Sequence, residues 1–156
     1  MRWMPTLVAL LILTPAVGQA ASCTASATGI AFGTYVPSST SPTNATGTVT
    51  ISCSSVMGGG GVNYTIALNA GVNSGGSFSN RRMSSGSSYL SYQLYTNATY
   101  SQVWGDGTGG TSTVSGTCSG SMGSCSSSNT VYGRIPALQA PSPSAYTDTI
   151  TVTITY

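Results

Sequence analysis

Few side chains in this sequence of 156 residues are equipped for chemistry. It has no histidine, lysine or glutamate, four arginines, and two carboxylates, Asp106 and Asp148. Without histidine the usual general base and the commonest metal ligand near neutral pH are missing. Paired acid/base chemistry would fall to the two aspartates. Asp106 sits in a glycine turn, GDGTGGT from Gly105 to Thr111, and Asp148 near the start of a strand. Both placements favour structural roles. The Asp-Gly step suits a tight turn and lacks the ligand spacing of a calcium loop. Serines are abundant, but none lies in a GxSxG elbow and no histidine can activate one. The run Gly58 to Gly61 has no accompanying lysine, so it reads as a turn and not a phosphate cradle. Arg81 and Arg82 fit either an anion site or the solvated shoulder of a strand. No catalytic residue, cofactor or metal site is expected.

The cysteines Cys23, Cys53, Cys118 and Cys125 carry the remaining reactivity. Four allow three disulfide pairings. The sequential one, Cys23 with Cys53 and Cys118 with Cys125, is favoured. It ties the opening strand to the end of the next and staples a Gly/Ser loop. A four-cysteine zinc site is the competing account, weakened by the absence of any CxxC pair. The redox compartment follows from the first residues. Arg2 precedes an apolar run, Leu7 to Thr14, and Gly18 and Ala20 are the small residues of a cleavage site after Ala20. That is the pattern of a secretory signal peptide over residues 1–20, leaving a domain over 21–156. The apolar run is shorter than the roughly 20 residues a spanning helix needs. Export makes disulfides expected. A formal net charge of +2 gives no footprint for nucleic acid.

The elements that must position these residues are strands. Tyr146 to Tyr156 alternates strictly: Ile150, Val152, Ile154 and Tyr156 share one face, threonines the other. Val62, Tyr64, Ile66 and Leu68 alternate likewise, as do Val49, Ile51 and Cys53 in Thr48 to Cys53. With the glycine run between them, the latter two segments predict an antiparallel pair. Cys23 to Tyr35 is an extended start whose face is carried by Ile30 and Phe32, and Val36 to Gly47 reads as a loop. Tyr89 to Tyr95 is a strand with Leu90, Tyr92 and Leu94 inward and Tyr89 and Tyr95 outward. Tyr100 to Trp104 is expected as a short strand, and Asn129 to Ile135 resumes regular structure after a Ser/Gly/Thr stretch. No segment shows a helix period. The fold class is therefore all-β, a two-sheet sandwich. Trp104 and the tyrosines can pack that sandwich or stack on sugar rings. Packing is favoured for Trp104 and Tyr92, and Tyr89, Tyr95 and Trp104 are the candidate surface contacts.

Six pieces in order carry a family resemblance. They are Cys23 with Phe32-Gly33-Thr34-Tyr35; Thr48 to Cys53; Arg82-Met83 with Leu90 to Tyr95; Trp104 to Gly107; Val131 to Pro136; and Tyr146-Thr147-Asp148 with the terminal strand. Together they resemble the spore coat protein U domain, the fold of subunits in archaic chaperone–usher pili. The resemblance implies an immunoglobulin-like sandwich that is incomplete, missing one strand. A periplasmic chaperone, and then a neighbouring subunit, supplies that strand. The terminal strand (Ile150, Val152, Ile154, Tyr156) becomes one wall of an acceptor groove. The implied partners are the chaperone, an outer-membrane usher and other pilus subunits. The implied route is through the periplasm to a surface fibre for attachment and biofilm, without catalysis. Cleavage after Ala20 leaves only Ala21 and Ser22 ahead of Cys23. Two residues reach roughly 7 Å, so the chain is expected to accept a strand without donating one, as at a fibre tip. The alternatives are a stand-alone secreted coat or matrix protein and a carbohydrate-binding module taking a host or surface glycan.

Overall fold

A computed structural model describes residues 21–56, 61–119 and 123–156, and the expected leader lies outside them. The described residues form nine strands: β1 (Ser22–Thr28), β2 (Thr43–Val56), β3 (Val62–Leu68), β4 (Arg82–Ser85), β5 (Ser88–Ser91), β6 (Gln93–Tyr95), β7 (Val114–Cys118), β8 (Gly123–Ile135) and β9 (Val152–Thr155). One sheet has the order β1-β2-β8-β6, the other β7-β3-β9, and β4-β5 is a separate hairpin. Every ladder is antiparallel. The period-two pattern explains the layering. Val49, Ile51, Cys53, Val131 and Ile135 of the first sheet are buried against Tyr64, Ile66 and Leu68 of the second. Serines and threonines alternate with them on the outer face, where hydroxyls stay hydrated.

Trp104 joins the layers. It is fully buried, its backbone N–H donates to the Leu94 carbonyl at 2.9 Å, and its indole N–H donates to the Ile66 carbonyl at 3.1 Å. One residue thus links β6 of one sheet to β3 of the other. As a candidate surface contact it is ruled out, because an indole with no exposed surface cannot reach a ligand.

Several boundaries differ from the sequence reading. β2 and β3 do not pair with each other. β2 lies between β1 and β8, and β3 lies in the opposite sheet between β7 and β9. The segment expected as a loop up to Gly47 already belongs to β2 from Thr43, paired with Ile135 and its neighbours on β8. Gly47 is required there, since a Cβ would lie 2.8 Å from Ile30 Cγ1. β8 begins at Gly123, well before Asn129. The Tyr89 to Tyr95 strand divides at Tyr92: its N–H still bonds the Arg81 carbonyl at 3.1 Å, in register with β4, and from Gln93 the chain pairs with β8 instead. Tyr100 to Trp104 is no strand, although Val103 and Trp104 form single bridges. The terminal segment is regular only over Val152–Thr155, and Tyr156 is 54 % exposed. Before it, the chain follows Asn69 to Val72 through irregular bonds, Asn69 N–H to Thr151 C=O and Val72 N–H to Thr149 C=O.

The cysteines pair as Cys23–Cys53 and Cys118–Cys125, which takes up all four. The zinc alternative fails because no thiolate remains to bind the ion. Cys23 and Cys53 are direct cross-strand partners with Cα atoms 4.0 Å apart, and Cys118–Cys125 joins β7 to β8, tying the two sheets. Replacing Cys23 and Cys53 together by serine should lower stability by about 2–4 kcal/mol, chiefly by freeing the unfolded chain. Urea unfolding measures it, and an unchanged midpoint would refute it.

Candidate functional site: an open groove between two sheet edges

β1 is the edge of one sheet and β9 the edge of the other, and the two strands face each other across one side of the sandwich. Between them the core is open. A groove of about 370 Å³ runs there, floored by Val49, Leu94 and Val131 from one sheet and Leu68 and Val152 from the other. A second stretch of about 610 Å³ continues it beneath Pro141 to Tyr146, sharing Ile30, Phe32, Met83 and Tyr146 with the first. Burial shows the gap directly. Ala25 and Ala27 pair with Ile51 and Val49, so their side chains lie on the inner face. They are nevertheless exposed, while Ile51 and Val49 are buried.

The β9 lip can be read for free backbone groups. Leu68 donates its N–H to the Gly105 carbonyl, away from β9. Leu68 and its partner Val152 are therefore a non-hydrogen-bonded pair, and Val152 turns its own N–H and C=O outward. By alternation Ile154 does the same. Upstream, Thr149 and Thr151 direct their carbonyls toward the Asn69 to Val72 segment, which leaves those of Ile150 outward. Ile150, Val152 and Ile154 thus combine half-buried side chains on the core with unpaired backbone on the rim. Tyr156, expected with them, is exposed instead.

The opposite lip is built by Gly29 to Tyr35, the segment following β1. Ile30 settles over Gly47 and Phe32 over Gly133, where a Cβ would lie 2.7 Å from the Phe32 ring. Phe32 also meets the Tyr92 ring edge-on at 6.1 Å. The Tyr35 hydroxyl donates to the Pro136 carbonyl at 3.0 Å and accepts the Gln139 N–H at 2.7 Å. The sequence marked Ile30 and Phe32 as a face. Only the structure shows that this face lines an opening.

A polar cluster bounds the groove at one end. Asp148 Oδ2 accepts the Tyr92 hydroxyl at 2.7 Å, and Oδ1 accepts the Asn73 side-chain amide at 3.0 Å and the Thr149 N–H at 2.9 Å. Behind them Arg81 is buried, so it is neither an exposed anion site nor a solvated shoulder. It donates to Gln93 Oε1 at 2.8 Å and the Asn69 carbonyl at 2.7 Å, while its Nε finds no partner. Burial pushes the Arg81 guanidinium down to about 10, against the opposing influence of Tyr92 and Asp148. Burial, then the hydrogen bond to Asp148 and its charge, pushes the Tyr92 phenol well above its ordinary 10. A raised phenol contributes stability that is whole below pH 10 and is lost as pH rises beyond it. The depressed Arg81 acts in the opposite sense above about pH 10. Unfolding free energy should therefore decline more steeply above pH 10 in the wild type than in Tyr92→Phe. Urea titrations between pH 8 and 11.5 compare the slopes, and parallel slopes would exclude the assignment.

Asp106 is exposed and caps its own turn. The Thr108 hydroxyl and then the Thr108 N–H hold its carboxyl below the usual range. Tyr89 is 46 % exposed with the Arg82 guanidinium 3.9 Å over its ring. Tyr95 is half-buried on the outer face of β6 and meets Tyr100, a neighbour that no local pattern could reveal. The groove and this outer face lie on opposite sides of the first sheet.

These features define a two-sheet antiparallel sandwich whose core is open along one pair of edges. The sequence profile of the Spore Coat Protein U domain matches residues 9–153, and the chain belongs to that family. Among solved structures it is similar to a chain in the crystal structure of the CsuC-CsuE chaperone-tip adhesion subunit pre-assembly complex from archaic chaperone-usher Csu pili of Acinetobacter baumannii. The identity is 24 % and the TM-score 0.55, over 87 % of this chain and 40 % of that one. This chain therefore spans less than half of the chain it matches, and the likeness is one of fold. A search of curated proteins gave no match.

Proposed function

We propose that this protein is a strand-accepting subunit of a chaperone–usher surface fibre, working by binding and assembly without catalysis. The observation that supports it most is the groove, where half-buried apolar side chains line an opening between two sheet edges and the β9 rim carries free backbone groups. A partner strand inserted there would bond to the rim at Ile150, Val152 and Ile154 and cover the half-buried Ile30, Phe32, Met83 and Val152. It would satisfy backbone and core in one step. The same opening makes the free chain prone to edge-to-edge association, which is the physical reason for a chaperone in the periplasm. Family membership and the likeness in fold to a chain of a chaperone–tip adhesion subunit complex support the reading. An usher, other pilus subunits and attachment at the cell surface follow from it as partners and outcome. The leader over residues 1–20 would supply export.

Periplasmic co-expression with a chaperone of the archaic chaperone–usher class tests the proposal. The expected result is a one-to-one complex, with the chain aggregating when expressed alone. A soluble, stable monomer in both cases would favour the stand-alone coat or matrix protein. N-terminal sequencing of the exported chain decides whether it also donates a strand. A start at Ala21 supports acceptance only, as at a tip, and an earlier start places it within the fibre.

A further inference from the structure

The outer face of the first sheet carries a second feature, independent of the groove. Tyr95 on β6 and Tyr132 on β8 are direct cross-strand partners, and both point outward. The loop after β6 lays Tyr100 between them, its ring edge-on to Tyr95 at 5.5 Å and to Tyr132 at 6.3 Å. The Arg134 guanidinium lies 3.6 Å over the Tyr100 ring, and its Nε donates to Asn44 Oδ1 at 2.9 Å. Its two terminal nitrogens hydrogen-bond to no described residue, and neither aspartate is bonded to it. Tyr100 takes φ +55°, a region uncommon for a bulky side chain. Asn97 fixes that loop through Ser101, accepting its N–H and donating to its hydroxyl. Three half-buried tyrosines, the middle ring nearly perpendicular to the other two, and an arginine without an acidic partner thus make one cluster.

The remainder of the face indicates what could lie on it. Beyond the tyrosines, β1, β2 and β8 each contribute one serine or threonine to successive cross-strand rows, the nearest being Thr28, Thr48 and Thr130. No charged side chain interrupts these rows. A protein partner would require an apolar centre, and serine is depleted at such interfaces. A sugar polymer needs what is present. Tyrosine rings face the C–H groups of a pyranose, hydroxyls donate and accept along the chain, and a guanidinium edge grips a carboxylate through two bonds.

We propose that this face binds an acidic polysaccharide, with Arg134 taking a uronate carboxylate, the exposed surface of the Tyr95/Tyr100/Tyr132 cluster packing on the sugar, and the hydroxyl rows carrying the adjoining residues. Strand insertion would leave the site free, because groove and cluster use opposite faces of the sheet.

The exported chain, in the complex in which it purifies, is titrated with polygalacturonate. Dextran serves as the neutral sugar and polyglutamate as the polyanion without sugar. Polygalacturonate should bind at least tenfold more tightly than either. Arg134→Gln and Tyr100→Asn should each weaken it at least tenfold, asparagine being chosen because it tolerates positive φ. Tyr89→Ala, at a different site, should leave it unchanged. If Tyr100→Asn lowers the melting temperature, Arg134→Gln carries the test alone. No binding of polygalacturonate, equal binding of polyglutamate, or undiminished binding in Arg134→Gln would overturn the proposal.

Discussion

Trp104→Ala should lower unfolding free energy by about 3–5 kcal/mol, at the upper end of what one core truncation does. The size follows from position as much as volume. The indole is fully buried and donates to the Ile66 carbonyl, so its removal opens a cavity between the sheets and leaves a buried acceptor without its donor. Phenylalanine separates the two effects. Trp104→Phe restores most of the volume but not the N–H, and should cost about 1–3 kcal/mol. Chemical unfolding of both variants, with the groove in the same occupancy state as the wild type, measures the difference. Near-equal stability of wild type and Trp104→Ala would mean that the sheets are joined elsewhere.

The second large effect is on strand capture. Val152→Asp should abolish it, while the free fold stays close to the wild type. In the open groove Val152 is only half-buried, so a carboxylate there remains hydrated. Once a strand covers the groove, the same charge is buried without a partner, a cost of several kcal/mol. Affinity for a chaperone or donor-strand peptide should fall at least a hundredfold. Thr153→Asp is the matched control, since Thr153 is exposed on the same strand with its side chain on the outer face. Binding measured on both variants, alongside their melting temperatures, makes the comparison. Equal losses in the two would point to a general charge effect and not to the groove.

How much of this was written in the sequence depends on whether local pattern or long-range pairing decided each element. Val62 to Leu68 was legible because its four inward residues are large and apolar. The inward set Leu90, Tyr92 and Leu94 was legible for the same reason, and all three are buried. The start of β2 and the first half of β8 were not. Residues such as Asn44, Gly47, Ser126 and Ser128 have little strand preference of their own. They are extended because each strand finds the other along its whole length. The misread β2–β3 pairing has a related cause. A run of glycines shows that the chain turns, not whether it returns in the same sheet or crosses to the other.

The candidate sites divide in the same way. The terminal strand announced its inner face, but an opening needs two lips, and the second comes from Ile30 and Phe32, more than a hundred residues earlier. Arg81 is adjacent to Arg82 and looks alike in sequence. It is buried only because Gln93 and the Asn69 carbonyl meet its guanidinium. Tyr132 and Arg134 could be placed outward by alternation. Tyr100 could not, because its place over the sheet depends on the fold of the loop that carries it.

The cross-strand bridge at the start of β1 also determines how the domain would bear load. Tension arriving from the residues before Cys23 meets the disulfide after a single strand residue, Ser22, and passes directly into β2 at Cys53. The hydrogen bonds between β1 and β2 then lie outside the force path, and the edge strand cannot be unzipped bond by bond from that end. Load goes instead to β2, which pairs with β1 on one side and β8 on the other, so the pulling element is an inner strand and not the exposed edge.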